Sequence, residues 1–303
     1  MAAKLKKLSE QVVVITGASS GIGLATAEAA AKRGAKVVLA ARSAQTLSGV
    51  VARIVAAGGE AVAVPCDVAD RAQVDALARA AVERFGRIDT WVNNAGLGLW
   101  GRLDETPDAD ARRLFDVNFW GLVNGALAAL PHLKRRGGAL INLGSEVSDA
   151  AAPLQGMYVA TKHAVKGYTD SLRIEIEEVD NAPVSITLIQ PGATDTPFPQ
   201  HARNVTDKEP KLPDPQDDPE HVAEAILDAA ETPTRETKVS VSASLNATLS
   251  KVAGGVAEFL GGKKTGDMHY DEPPRNPQGA LHQSSEAAGV AGRTRGTGGK
   301  VPK

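Results

Sequence analysis

The chain has 303 residues, 43% hydrophobic and 23% charged, with a formal net charge of −2. This is the balance of a globular protein, at a length that suits one large α/β domain, and it excludes the broad basic field of a nucleic-acid or anionic-membrane binder. No apolar run is long enough to span a bilayer, the opening residues lack a signal-peptide pattern, and the single Cys66 excludes an internal disulfide, so the expected location is the cytoplasm.

Apolar runs at 12–16, 36–41, 60–65, 88–93, 138–144 and 184–190 predict buried parallel strands. Between them, apolar residues at helical spacing predict helices over 21–33, 44–57, 72–85, 109–135 and 155–179. Pro131 predicts a bend or break in the fourth of these. The alternation implies βαβ units and a doubly wound parallel sheet. Residues 193–219 hold six of the prolines and dense charge, and predict a long loop, either a lid over the strand ends or a solvated connector. A helix over 220–231 and a last strand near 237–242 follow. The main domain is expected to end near residue 260. Residues 261–303 are rich in Gly, Ser, Pro and charge, and predict a mostly disordered tail.

The first strand runs into Gly17-Ala-Ser19-Ser20-Gly21-Ile22-Gly23. Gly17 suits a tight turn, while Gly21 and Gly23 remove side chains where a pyrophosphate and a helix approach closely. The helix N-terminus offers unpaired N–H groups to that anion. The second strand ends Ala41-Arg42, where a carboxylate would bind the ribose 2′-hydroxyl of NAD. A cation there instead suits a 2′-phosphate, so NADP(H) is expected in preference to NAD(H); the plainer reading of Arg42 is a surface charge. Asp67 follows the third strand, either accepting from an adenine amino group or serving as a turn residue.

Tyr158 and Lys162 are four apart on a helix and project side by side. An ammonium near a phenol favours the phenolate, tuning it for proton exchange with an alcohol or carbonyl oxygen. Ser145, thirteen residues upstream, can hold the same oxygen. The six histidines show no paired ligand spacing, so no metal site is expected.

Together, Thr16-Gly-Ala-Ser-Ser-Gly-Ile-Gly23, Asp67-Val68, Asn93-Asn-Ala-Gly96, Asn118, Ser145, Tyr158-x-x-x-Lys162 and Pro191-Gly192 resemble the short-chain dehydrogenase/reductase family, in its order and at about its spacing. The resemblance covers 12 to about 196, with fold similarity to about 242. It implies a Rossmann-type seven-stranded sheet and a nicotinamide cofactor. It implies Tyr158 as general acid/base, Lys162 lowering the tyrosine pKa and binding the nicotinamide ribose, Ser145 polarising the substrate oxygen, and Asn118 holding a relay water. Asn94, Ala95 and Gly96 would line the adenosine side, and Val68 would contact adenine. Thr194 and Thr196 would reach the carboxamide, beyond Pro191 and Gly192. Gly144 stands where many members have a serine, one residue before the catalytic position.

Substrate-pocket walls are expected from 97–100, Glu146, Leu154, Met157 and Phe198, with Glu146 facing either pocket or solvent. A small carbonyl or alcohol with apolar bulk is the expected substrate. The helices around Asn118 and Tyr158 carry an apolar stripe including Trp120 and Leu172, and the family commonly pairs these helices, so a homodimer or homotetramer is expected. The competing readings are an NAD-dependent alcohol dehydrogenase and a non-catalytic nucleotide-binding sensor or scaffold.

Overall fold

The computed structural model describes residues 4–239 and 268–284, with Gly289 and Gly292. Seven parallel strands form the central sheet in the order β3-β2-β1-β4-β6-β7-β9. They are β1 (Val12–Thr16), β2 (Lys36–Ala41), β3 (Glu60–Pro65), β4 (Thr90–Asn93), β6 (Gly138–Leu143), β7 (Val184–Pro191) and β9 (Glu236–Val239). Two two-residue strands, β5 (Leu99–Trp100) and β8 (Arg203–Asn204), pair apart from this sheet.

The continuous apolar runs follow from burial on both faces. Along β1, Val12 and Val14 join one core, while Val13 and Ile15 join the other. Alternation is therefore between two cores, not between core and solvent. Helices α1 (Gly21–Lys32), α2 (Ala44–Ala56) and α8 (Pro219–Glu231) supply side chains to the Val13 core; α3 (Arg71–Phe85), α5 (Gly121–Arg136) and α6 (Gly156–Arg173) supply the other. The remaining α-helices among the described residues are α4 (Asp108–Phe115) and α7 (Phe198–His201).

Local chemistry sets the helix ends. Ser43 accepts from Thr46 N–H at 3.1 Å and caps α2. Asp70 accepts from Ala72 and Gln73 N–H and caps α3, which ends at Gly86 in the left-handed region. The strand order reverses direction between β1 and β4, so their carboxyl ends open the crevice where such sheets bind ligands.

Of the bend or break predicted near Pro131, the break does not occur: α5 runs through it. The N–H that proline lacks would have met the carbonyl of Leu127, which lies on an exposed part of the helix where water can satisfy it. The irregularity lies earlier, in a π-helical turn at Asp116–Trp120 that joins α4 to α5. A second π turn, Ile174–Val179, prolongs α6. Of the last predicted strand, 240–242 lie outside the described residues.

The tail also departs from expectation over 268–284. Lys211 N–H donates to the Met268 carbonyl and Tyr270 N–H to the Glu209 carbonyl, both at 2.9 Å. Asn204 N–H reaches Pro277 and Ala280 N–H reaches His201. The Gly/Pro-rich composition hides this order, because backbone groups and two apolar side chains make the contacts. Ala280 and Leu281 are buried in the same core as Val68 and Val117.

Candidate active site

The cleft at the carboxyl ends of β1, β4 and β6 encloses about 1050 Å³. Its lining brings together Gly17, Ser19, Ser20, Gly21, Ile22, Gly23, Arg42, Asp67, Val68, Asn94, Ala95 and Gly96. It also contains Ser145, Tyr158, Lys162, Pro191, Gly192, Thr194 and Thr196. Of the expected site residues only Asn118 lies behind this surface.

The glycine turn is held from behind. Thr16 Oγ1 accepts from the N–H groups of Asn94 and Ala95, each at 3.1 Å, and Asn94 Nδ2 donates to the Thr16 carbonyl at 2.8 Å. Gly17 has φ +68°, and a Cβ there would stand 2.8 Å from Ala95 Cα. A Cβ on Gly23 would stand 2.3 Å from the Gly17 carbonyl oxygen. The backbone is therefore bare where helix and turn meet, with the α1 N-terminus facing the cleft.

Arg42, at the end of β2, is half-buried, and burial lowers its pKa while the Asp67 carboxylate opposes that shift. Asp67 pairs with Arg113 of α4 and accepts from Ala69 N–H at 3.1 Å, a turn role as well as a cleft position. The Val68 carbonyl accepts from Asn124 Nδ2 at 2.9 Å.

At the other end, α6 presents Tyr158 and Lys162 one turn apart, both buried. Lys162 Nζ donates to the Leu143 carbonyl at 2.8 Å and lies 5.7 Å from the Tyr158 ring centroid. Burial lowers the Lys162 pKa to about 8. Burial pushes the Tyr158 phenol upward; a hydrogen bond with Ser145 works against this, and the Glu146 carboxylate adds to it. The expected lowering of the tyrosine by the lysine is not among the causes of this shift; desolvation dominates, and the phenol stays neutral, able to donate a proton.

Ser145 begins a 3-10 turn, Glu146–Ser148, in which its hydroxyl accepts from Val147 N–H at 3.3 Å and Ser148 Oγ accepts from its N–H at 3.2 Å. Gly144 has a local cause: a Cβ there would approach Ser148 Oγ at 3.0 Å and Leu188 Cδ1 at 3.1 Å.

Asn118 sits in the π turn and is almost fully buried. Its Oδ1 accepts from Leu97 N–H at 2.8 Å, and its Nδ2 donates to the Leu97 carbonyl and Thr161 Oγ1. The side chain therefore braces the Leu97 segment against α6.

Of the expected substrate walls, Leu97, Glu146 and Phe198 line the cleft. Gly98, Leu99, Trp100, Leu154 and Met157 do not. Trp100 is buried behind Phe198, with ring centroids 5.9 Å apart, and Phe198 in turn stands 5.2 Å from the Tyr158 ring. Sequence reasoning missed His201, Leu212, Pro213, Met268, Ala280 and Ser284, which line the cleft from the lid and the C-terminal segment. No short motif marks them. Cys66 is buried, and burial raises its pKa to about 12.

Residues 11–207 match the family model described as short chain dehydrogenase. The chain belongs to that family. An uncharacterised oxidoreductase of Bacillus subtilis, YxnA, is 43% identical over 302 residues, covering 97% of this chain and 83% of that protein. A match of that extent runs into the C-terminal segment. Among solved structures, an alcohol dehydrogenase from Thermococcus sibiricus complexed with 5-hydroxy-NADP is 31% identical, with TM-score 0.67 over 76% of this chain and 95% of that one. A short-chain dehydrogenase/reductase from Burkholderia phymatum in complex with NAD is 28% identical, with TM-score 0.75 over 83% and 96%. As a short-chain dehydrogenase the protein is an oxidoreductase with a Rossmann-like fold, and these two solved relatives hold 5-hydroxy-NADP and NAD respectively. Among the described residues no helix is long and apolar enough to cross a membrane.

Proposed function

We propose that the protein is an NADP(H)-dependent oxidoreductase acting on a carbonyl compound or secondary alcohol. The observation that carries this reading is one cleft lined by the glycine turn, Arg42, Ser145, Tyr158 and Lys162 together. The turn suits a nicotinamide dinucleotide because side chains at Gly17 and Gly23 would collide with the backbone of Ala95 and of Gly17, so the turn stays bare beside the helix N-terminus. When bound, that cofactor supplies or accepts the hydride.

The chain's own groups handle the proton and the anion. Tyr158 gives its phenolic proton to the oxygen of a carbonyl substrate, and takes it back from an alcohol in reverse. Ser145 donates a hydrogen bond to that oxygen. The Lys162 ammonium, fixed on the Leu143 carbonyl, favours the transient phenolate. Phe198, against the Tyr158 ring, keeps water from the reacting oxygen and favours substrates with apolar bulk. Arg42 supports NADP(H) over NAD(H), because its guanidinium offers a charged donor where no carboxylate replaces it.

We further propose a homodimer or homotetramer, working in the cytoplasm. Trp120 and Leu127 are exposed large apolar side chains seven residues apart, hence on one helical face. Leu172, grouped with Trp120 in the sequence, is instead buried and belongs to the core. Static light scattering checks the assembly; a monomer mass at micromolar concentration would remove it. The reaction is tested by following NADPH oxidation by absorbance over a panel of ketones and aldehydes. Turnover of any member supports the proposal, whereas tight cofactor binding with no turnover across the panel counts against it.

A further inference from the structure

The C-terminal segment approaches the cofactor cleft at three places. Arg42 directs Nη1 to the Leu281 carbonyl at 3.3 Å and Nη2 to the Ala280 carbonyl. Arg113 Nε also reaches the Leu281 carbonyl at 3.3 Å, so two guanidiniums converge on one backbone oxygen. Further on, the N–H of Gly21, the first residue of α1, donates to the Gly289 carbonyl at 2.8 Å. Gly292 N–H donates to the Asp195 carbonyl at 3.0 Å, and a Cβ on Gly292 would stand 2.6 Å from the Thr196 carbonyl oxygen.

These contacts share one chemistry. Tail carbonyl oxygens sit on donors arranged for anionic oxygens: guanidiniums at the adenosine end and a helix N-terminus at the middle. The Leu281 side chain completes the likeness, since it is fully buried in the cluster holding Val68 and Val117 at that end. His282 anchors this stretch to α4 through Asp110 at 2.7 Å, and Arg203 Nε holds the same carboxylate at 2.7 Å.

Resting on the functional reading above, we propose that the C-terminal segment is an intramolecular occupant of the adenosine half of the cofactor cleft, displaced when NADPH binds. Arg42 is the latch, exchanging tail carbonyls for the 2′-phosphate. The apparent affinity for NADPH is then reduced by the fraction of molecules with the strap in place. The opposite device, a clamp that closes over bound cofactor, uses the same segment and gives the opposite signs below.

Gly279→Val tests this without touching Arg42, the glycine turn or the catalytic residues. Gly279 has φ +56°, and a Cβ there would stand 2.2 Å from the Ala202 carbonyl oxygen, so the substitution prises the segment from the lid. The strap predicts NADPH binding tightened by about tenfold in the variant. Unchanged or weakened binding overturns the strap while leaving the oxidoreductase reading standing, and no binding by either form overturns both. Wild-type protein gives a second measurement, independent of the variant's folding: trypsin cleavage at Arg275 and beyond. The strap predicts faster cleavage when NADPH is added, and protection by NADPH overturns it.

Discussion

Replacing Arg42 by alanine changes the chemistry at the end of β2, and the ratio of NADPH to NADH affinity isolates the consequence. The guanidinium lies in the cleft, half-buried, with Asp67 as its nearest opposing charge. A hydrogen bond to a charged partner contributes about 1.5–3 kcal/mol net. Removing it should therefore weaken NADPH by roughly 10- to 150-fold relative to NADH, at 1.4 kcal/mol for each factor of ten. The ratio is the cleaner quantity because Arg42 also holds the carbonyls of Ala280 and Leu281. Loosening those contacts alters both cofactors together and cancels in the comparison. Fluorescence titration of the variant and the wild type with each cofactor gives the four dissociation constants. An unchanged ratio would refute the assignment of Arg42 to the 2′-phosphate and leave it a tail anchor only.

Further outcomes follow from the charges and the packing around the site. Lys162 has its pKa lowered from 10.5 to about 8 by burial, so the unfolded chain binds more protons between those values and stability should rise with pH across that window. The rise is on the order of 3 kcal/mol and should vanish in Lys162→Met, as chemical denaturation at several pH values would show. Turnover, which needs the ammonium, should fall above about pH 8, and a rate flat to pH 10 would refute that role. Burial pushes the Asp149 carboxyl up, but hydrogen bonds from Gln190 and Lys238 and the charge of Lys166 take it down to about 2. Its stabilisation is therefore present above the ordinary carboxylate range and lost as pH falls towards 2, and Asp149→Asn should lose that acid dependence in thermal melts. Gly23→Ala should abolish cofactor binding or folding, because its Cβ would meet the Gly17 carbonyl at 2.3 Å; near-normal NADPH titration would contradict the tight turn.

Much of this architecture was legible because it rests on strong periodic signals. The run at Val12–Thr16 is apolar on both faces, which only a strand between two helical layers explains, and the glycines after it mark a turn that side chains would block. The proximity of Tyr158 and Lys162 follows from helical spacing alone. What was not legible depends on tertiary contact. Nothing in the pattern separates Trp100, buried behind Phe198, from Leu97, which faces the cleft. The direction of the Tyr158 shift reflects desolvation, a property of the packed site and not of residue spacing. Pro131 breaks a rule that solvent access relaxes. The segment 268–284 has the composition of a loose tail, yet its order comes from backbone groups meeting Glu209, Lys211, Asn204 and His201, which no local pattern records. β5 and β8, two residues each, are too short to give a periodic signal.

The central claim is that Tyr158 exchanges the proton while the rest of the cleft holds the cofactor. The most direct measurement compares wild type and Tyr158→Phe for NADPH affinity and for turnover of the best carbonyl in the panel. The account predicts nearly unchanged NADPH binding, with kcat lowered by about 100-fold or more, the usual contribution of general acid–base catalysis. Full turnover by the phenylalanine variant would contradict the mechanism, whatever its affinity for the cofactor.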